Sequence, residues 1–277
     1  MNRIPVLTYH SLHAPGEEYT SNDHVALETD LHVIRAMNFN VAPLADIALY
    51  VAGEGAAYLD VGSWLGLSFD DGPDWDYYDF CADGRSLKSF HTILREAADL
   101  EHGFRPSAVS FVIASPEARK TLDRLCIAGN DNWRDTWWAE AARSGVLAIG
   151  NHSWDHAHPD LGSPDRHRAN NKDSFSKVDC FERAERQIAR AEIYIRSRIG
   201  DLSSRLFAYP YGDAPDYLVR EYFPDYREHH GMIGAFYGNG EYATSAANRW
   251  KIPRFECREH WKSPDGLERI LATARHT

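Results

Sequence analysis

The sequence predicts an α/β protein, a distorted or incomplete (β/α)7 barrel folded as a single domain over residues 1–277. Three observations carry that expectation. Short apolar runs alternate with helical stretches along almost the whole chain, the pattern of a parallel sheet covered by helices. About seven such units follow one another, which suits a barrel better than a doubly wound sheet. No GxGxxG or Walker-type loop follows the first apolar run, so a nucleotide-binding fold lacks its main signature.

The first predicted strand is Pro5–Tyr9, followed by a helix over Val25–Met37. A strand at Trp64–Phe69 leads to a helix at Leu87–Glu101, and a strand at Ala108–Ile113 leads to a helix at Pro116–Cys126. That last helix opens on Ser115-Pro116, a capping residue before a proline at the first helical position. Thr136–Arg143 reads as helix and Val146–Ile149 as strand. The polar segment Pro159–Ser176 reads as a long loop within the domain. The clearest helix is Lys177–Ile199, where Val178, Phe181, Ile188, Ala191, Ile195 and Ile199 recur mostly three or four residues apart. Strands at Leu206–Tyr209, Gly231–Phe236 and Lys251–Phe255 follow, and a helix at Pro264–Arg275 opens on Ser263-Pro264. No internal repeat or low-complexity tract interrupts the order.

Hydrophobic residues make up 43% and charged residues 26% of the chain, enough apolar matter for a real core. The formal net charge is −11 and no Lys/Arg cluster appears, which argues against nucleic acid as a partner. No apolar run approaches the roughly 18 residues needed to span a bilayer. The opening MNRIPVLTYHSL lacks the apolar core of a signal peptide, so a cytoplasmic location is expected. Cys81, Cys126, Cys180 and Cys257 are far apart and form no CxxC, as expected of reduced thiols.

In parallel α/β folds the chemistry sits where strands end and loops begin. Four predicted strand ends carry reactive groups: Tyr9-His10, Asp70-Asp71, the GNHSWDH stretch with His152 and His156, and PYGD after Tyr209. Asp-Asp-Gly alone is also an ordinary turn sequence. Two histidines four residues apart, on a helical turn or in a tight loop, put both imidazoles on one side. With one carboxylate they are enough to hold a divalent metal and leave positions open. One aspartate of the pair can supply that carboxylate, and the other can act as a base beside it. A cation there offsets the repulsion between the two acids.

These residues resemble a known family. LSFDDGP, Leu67 to Pro73, is similar to the first motif of the polysaccharide deacetylases (carbohydrate esterase family 4), GNHSWDH to the second, and FAYPYG, Phe207 to Gly212, to the third. The resemblance runs from the first strand to Lys251–Phe255. It implies Asp70 as general base, Asp71, His152 and His156 as metal ligands, and Tyr211 as backbone N–H donor to a developing oxyanion. The implied cofactor is one divalent ion, zinc first, with Co(II), Ni(II), Mn(II) or Fe(II) also compatible. The implied reaction removes acetyl groups from an N-acetylated saccharide.

Three features depart from the family pattern. Many members begin the third motif with an arginine that steadies the base; here that position is Ala208, and Arg254 is either its substitute or a structural ion pair. His158 stands near His156 as a second possible ligand, although the four-residue spacing favours His156. No C-terminal Leu-x-His motif supplies an acid, and His260 and His276 sit in poor contexts. LTYHSL, however, resembles the opening of the poly-N-acetylglucosamine deacetylases, whose permuted strand order brings the acid first, and this implies His10 as general acid. Its alternative role is to satisfy a buried backbone group. Strand-end aromatics that could stack on sugar faces are Tyr9, Trp75, Trp154 and Tyr209, with Tyr77, Tyr78 and Tyr237 nearby. Competing readings are a hydrolase of a non-sugar amide such as a cyclic ureide, a two-histidine, one-carboxylate Fe(II) oxygenase, and an inactive carbohydrate-binding scaffold.

Overall fold

The computed structural model describes all residues except 1, 15, 83, 101–102, 128, 159–160, 162–174 and 276–277. In chain order the strands are β1 (Val6–Tyr9), β2 (Asn40–Val41), β3 (Trp64–Phe69), β4 (Phe80–Ala82), β5 (Arg85–Leu87), β6 (Ala108–Val112), β7 (Leu147–Asn151), β8 (Ser203–Ala208), β9 (Gly234–Gly238) and β10 (Ile252–Glu256). Strands β3, β6, β7, β8, β9 and β10 pair in parallel with their neighbours, and β1 pairs in parallel with both β10 and β3. Leu7 lies opposite Leu67 on one side and Phe255 on the other, so the ring of seven strands is closed. The expectation of a (β/α)7 barrel holds, and its incompleteness does not. Distortion enters at β2, which adds to β3 beside the ring, and at the antiparallel β4–β5 hairpin.

Helices α1 (Asp23–Ala36), α2 (Leu44–Val51), α3 (Phe90–Leu100), α4 (Pro116–Cys126) and α5 (Trp138–Ser144) alternate with the strands in the first half. Both serine–proline starts behave as expected: α4 spans its predicted range with Ala118 N–H donating to the Ser115 hydroxyl, and the last helix covers Pro264–Arg275. The long helix starts at Phe181, later than expected, and contains a wide turn over Glu185–Ala189 before continuing to Ile199. Wide turns free a backbone carbonyl. Here Ile188 C=O is taken by Asn151 Nδ2 at 3.0 Å, which ties the helix to the end of β7. The polar loop expected over 159–176 lies almost entirely outside the described residues, as does His276.

Helix α2 was not foreseen. Its run LADIALYV is apolar on nearly every side, which marks a buried helix, and it is too short for its period to stand out from a strand. Leu44, Ile47 and Ala48 pack with Val6, Val109, Leu206, Phe236 and Ile252, contributed by strands around the ring, so α2 plugs the barrel. Two glycines admit it: a Cβ on Gly66 would stand 2.4 Å from Leu44 Cδ2, and one on Gly234 would stand 2.7 Å from Ala48 Cβ. The outer layer packs Leu27, Leu31 and Ile34 of α1, Ile93 and Leu94 of α3, and Leu267 and Leu271 of the last helix against outward strand residues such as Tyr9 and Phe69. Burying one such side chain contributes about 1.5–3 kcal/mol. The four cysteines form no disulfide with one another. Among the described residues no helix is long and apolar enough to cross a membrane.

Candidate active site

The C-terminal ends of β1, β3, β7 and β10 and the turn after β8 surround a cavity of about 430 Å³. His10, Asp70, Asp71, His152, His156 and Tyr211 all line it. The four strand ends singled out in the sequence thus converge on one place.

Asp70 continues β3 and is almost fully buried. Its two oxygens accept from Arg254 Nη1 and Nη2, each at 2.7 Å, the paired geometry in which a guanidinium grips a carboxylate best. Arg254 reaches it from β10 and is itself fully buried. Nη1 also donates to Ser68 Oγ at 3.2 Å. Burial pushes the Asp70 carboxyl up, but the Arg254 guanidinium, followed by His152, outweighs it and holds the acid well below the usual range. The arginine paired with Asp70 thus comes from β10, while Ala208 contributes its carbonyl.

That carbonyl matters. A carbonyl can only accept, so the 2.9 Å contact from His152 Nδ1 to Ala208 O puts the ring proton on Nδ1 and leaves Nε2 as a lone pair. Nε2 of His152 lies 3.7 Å, and Nε2 of His156 3.5 Å, from Asp71 Oδ1. These separations are too long for hydrogen bonds. A tetrahedron drawn with Zn–N and Zn–O bonds has edges of about 3.3–3.5 Å, which the His156 separation meets and the His152 separation slightly exceeds. Burial lowers the basicity of both histidines, so each is neutral, as a ligand must be, and raises the Asp71 carboxyl. The donor set therefore fits a divalent cation.

Local backbone geometry explains the spacing. Asp71 and Gly72 both have positive φ, and Gly72 lies so close to β6 that a Cβ would stand 2.9 Å from Val112 Cα. His156 is brought back toward His152 by a tight loop and not by a helical turn. Ser153, His156 and Ala157 are all left-handed, the kind of strain that concentrates at functional sites. Ser153 N–H donates to Asn151 Oδ1 and His156 N–H to Ser153 Oγ, both at 2.9 Å, which hold the loop. Tyr211, also left-handed at φ 58°, turns its ring edge onto His156 at 4.4 Å.

Two of the aromatic candidates lie in the core. Tyr9 is fully buried in the outer core, donating its hydroxyl to Asp30 at 2.9 Å, and Tyr209 is fully buried with its hydroxyl on Trp250 C=O at 2.7 Å. Neither can meet a substrate. Trp75 stacks on Phe80 at 4.3 Å, and Trp154 carries the Arg190 guanidinium 3.6 Å above its ring; neither lines the cavity. Asp213, Glu256 and Glu259 do line it, and sequence reasoning gave them no role. Glu256 ends β10 and met the strand-end criterion, but it stood in no recognised motif.

Asp76, also unforeseen, is fully buried and accepts from Ser11 Oγ at 2.5 Å and Ser110 Oγ at 2.6 Å, joining the loop after β1 to β6. Burial, partly opposed by these two hydroxyls, pushes its pKa up to about 8. The folded protein therefore keeps a proton that the unfolded chain releases near its ordinary pKa of about 4. This contribution to stability is full below that value and is lost as pH rises toward 8. Asp76→Asn is expected to flatten the loss, measured as urea unfolding of both proteins at several pH values; identical slopes would refute it.

The sequence model of the family described as polysaccharide deacetylase matches residues 62–223, more than half of the chain. The chain belongs to the polysaccharide deacetylase family. As a member of it, the protein is a carbohydrate deacetylase whose substrates are acetylated saccharides. Asp70, Asp71, His152, His156 and Tyr211 fall inside the matched region, and His10 and Arg254 fall outside it. Solved structures with the same fold include IcaB from Ammonifex degensii (TM-score 0.66, 19% identity, covering 99% of this chain and 98% of that one). The Streptococcus pyogenes deacetylase PplD, solved with acetate, aligns with TM-score 0.63 and 15% identity over 97% of this chain and 98% of its own. A de-N-acetylase from Aggregatibacter actinomycetemcomitans aligns with TM-score 0.61 and 16% identity, covering 97% and 100%. No curated protein matches the chain in sequence.

Proposed function

We propose that this deacetylase is a metal-dependent hydrolase that removes acetyl groups from an N-acetylated saccharide and releases acetate. The observation that carries the reading is the side-by-side placement of two differently employed carboxylates. Asp70 is clamped by Arg254, and Asp71 faces two neutral imidazoles across gaps too long for hydrogen bonds. A base held as anionic as Asp70 takes a proton from water only if that water is acidified, and this acidification, with polarisation of the acetyl carbonyl, is what a divalent ion on Asp71, His152 and His156 would supply.

Two imidazoles and one carboxylate suit zinc, with Co(II), Ni(II), Mn(II) and Fe(II) also admissible. The Tyr211 backbone N–H would stabilise charge developing on the acetyl oxygen. His10 follows β1, the strand next to β3, and would give a proton to the sugar nitrogen as the C–N bond breaks. Burial lowers its pKa while Asp70 and Asp71 oppose that shift. The test is acetate release from a panel of N- and O-acetylated saccharides, before and after chelation and zinc repletion. Release from an N-acetyl sugar that chelation abolishes supports the proposal; release untouched by complete metal removal sinks it.

Two variants separate the roles. Asp70→Asn is expected to retain the metal while losing turnover. His10→Ala is expected to lower kcat by roughly 10²–10⁴ at unchanged metal content, the range for loss of an acid–base group. An unaltered rate in His10→Ala would leave His10 only its structural role.

A further inference from the structure

The chain holds the donor set of two imidazoles and one carboxylate twice. Besides Asp71, His152 and His156, the residues His10, His13 and Asp23 place one ligating atom each within 4.8 Å of one another. Their backbones are laced together. His13 N–H donates to His10 C=O at 2.9 Å, Asp23 N–H to His13 C=O at 2.8 Å, and His10 N–H to Asp23 Oδ2 at 2.9 Å. Asn22, the capping residue of α1, fixes the loop that follows by donating to Ala14 C=O and Gly16 C=O. The three backbones and the Asp23 carboxylate are therefore held together.

Their polar atoms are not satisfied by one another. Asp23 is fully buried, yet its Oδ1 has no hydrogen-bond partner among the described residues, and neither has Nδ1 of His10 or of His13. Arg258 Nη1 stands 3.9 Å from Oδ1, beyond hydrogen-bond reach. A buried carboxylate oxygen without a partner has lost its hydration with nothing in exchange. His13 Nδ1 lies 3.4 Å from Asp23 Oδ2, again near the edge of a tetrahedral zinc site. We propose that His10, His13 and Asp23 form a second divalent-cation site, and that filling it inhibits the enzyme. The ion would hold the imidazole that delivers the proton, so the two uses of His10 exclude each other. The inhibition rests on the role proposed for His10, whereas the binding does not.

Zinc titration of the metal-free full chain, followed by equilibrium dialysis, tests the binding. Wild type is expected to take up two equivalents, and His13→Gln one. His152→Ala, inactive through loss of the first set, is expected still to bind the second. His13 is 44% exposed and lies outside the proposed catalytic groups, so His13→Gln is expected to fold and to turn over normally at one equivalent of zinc. Excess zinc should lower wild-type turnover about tenfold or more, part of the contribution of an acid–base group, and leave His13→Gln unaffected. A wild type that stops at one equivalent, lost in His152→Ala and kept in His13→Gln, overturns the second site while sparing the first. Equal inhibition of both proteins by excess zinc overturns the switch.

Discussion

Arg254→Met is expected to give a folded but much less stable protein with turnover reduced by two orders of magnitude or more. The side chain is fully buried, and the carboxylate it grips is nearly so. Removing one member of a buried pair strands the other charge in a low-dielectric interior, at a cost of about 3–5 kcal/mol. The pH dependence gives the sign. With Arg254 present the Asp70 carboxyl is depressed, so its contribution to stability is full above the ordinary carboxylate pKa and is lost as pH falls. Without Arg254 the largest downward influence on Asp70 is gone and burial dominates, so the acid rises and the variant gains relative to wild type as pH falls. Urea unfolding from pH 4 to 8 measures this. A further check is Arg254→Met combined with Asp70→Asn, which removes the stranded charge and should recover part of the lost stability. Arg254→Lys should rescue poorly, because one ammonium cannot engage both carboxylate oxygens. Equal stability of Arg254→Met and wild type at pH 7 would show that the pair contributes nothing.

The second large effect is expected at the donor set itself. Asp71→Ala, His152→Ala and His156→Ala should each lose bound metal and activity together, with turnover falling to the background. The three differ in structural cost. His152 loses its bond to Ala208 C=O, whereas the His156 ring leaves an edge contact with Tyr211. His152→Ala should therefore be the least stable of the three, by about 1 kcal/mol for the lost bond. Metal analysis by mass spectrometry beside acetate release decides the matter: stoichiometric metal in all three would remove them from the ligand set.

What could be read in the sequence was local chemistry at known height in the barrel. Asp70-Asp71, His152 and His156 each follow an apolar run, and that alone places them at one end of a parallel sheet. Which face a strand-end residue takes depends on where the strand's alternation starts, and an apolar strand buried on both faces hides it. Tyr9 and Tyr209 were misplaced for this reason: both stand at strand ends, and both turn away from the cavity into packing layers. Arg254 faces inward from β10 to a partner on β3, and only closure of the ring brings the two together. Asp23 and Asp76 escaped notice because acids at helix starts and in turns are common and solvated, while these two are buried by segments distant in sequence. The short helical pieces Leu218–Tyr222, Phe223–Asp225 and Arg227–His230 were not foreseen, since none is long enough for its period to show.

The closing strand β1 also has a kinetic consequence. It joins neighbours from near the two ends of the chain, pairing with β3 through Leu7–Leu67 and with β10 through Leu7–Phe255. Its second partner is synthesised last among the strands, so until then the sheet is an open arc with two unpaired edges. Contacts between such distant segments form slowly, and bare edges invite pairing with other chains. His10 directly follows β1, and Arg254 lies on β10. Refolding should therefore show native-like secondary structure well before any activity, and turnover should appear only with the slow phase in which the first strand locks between the last and its other neighbour.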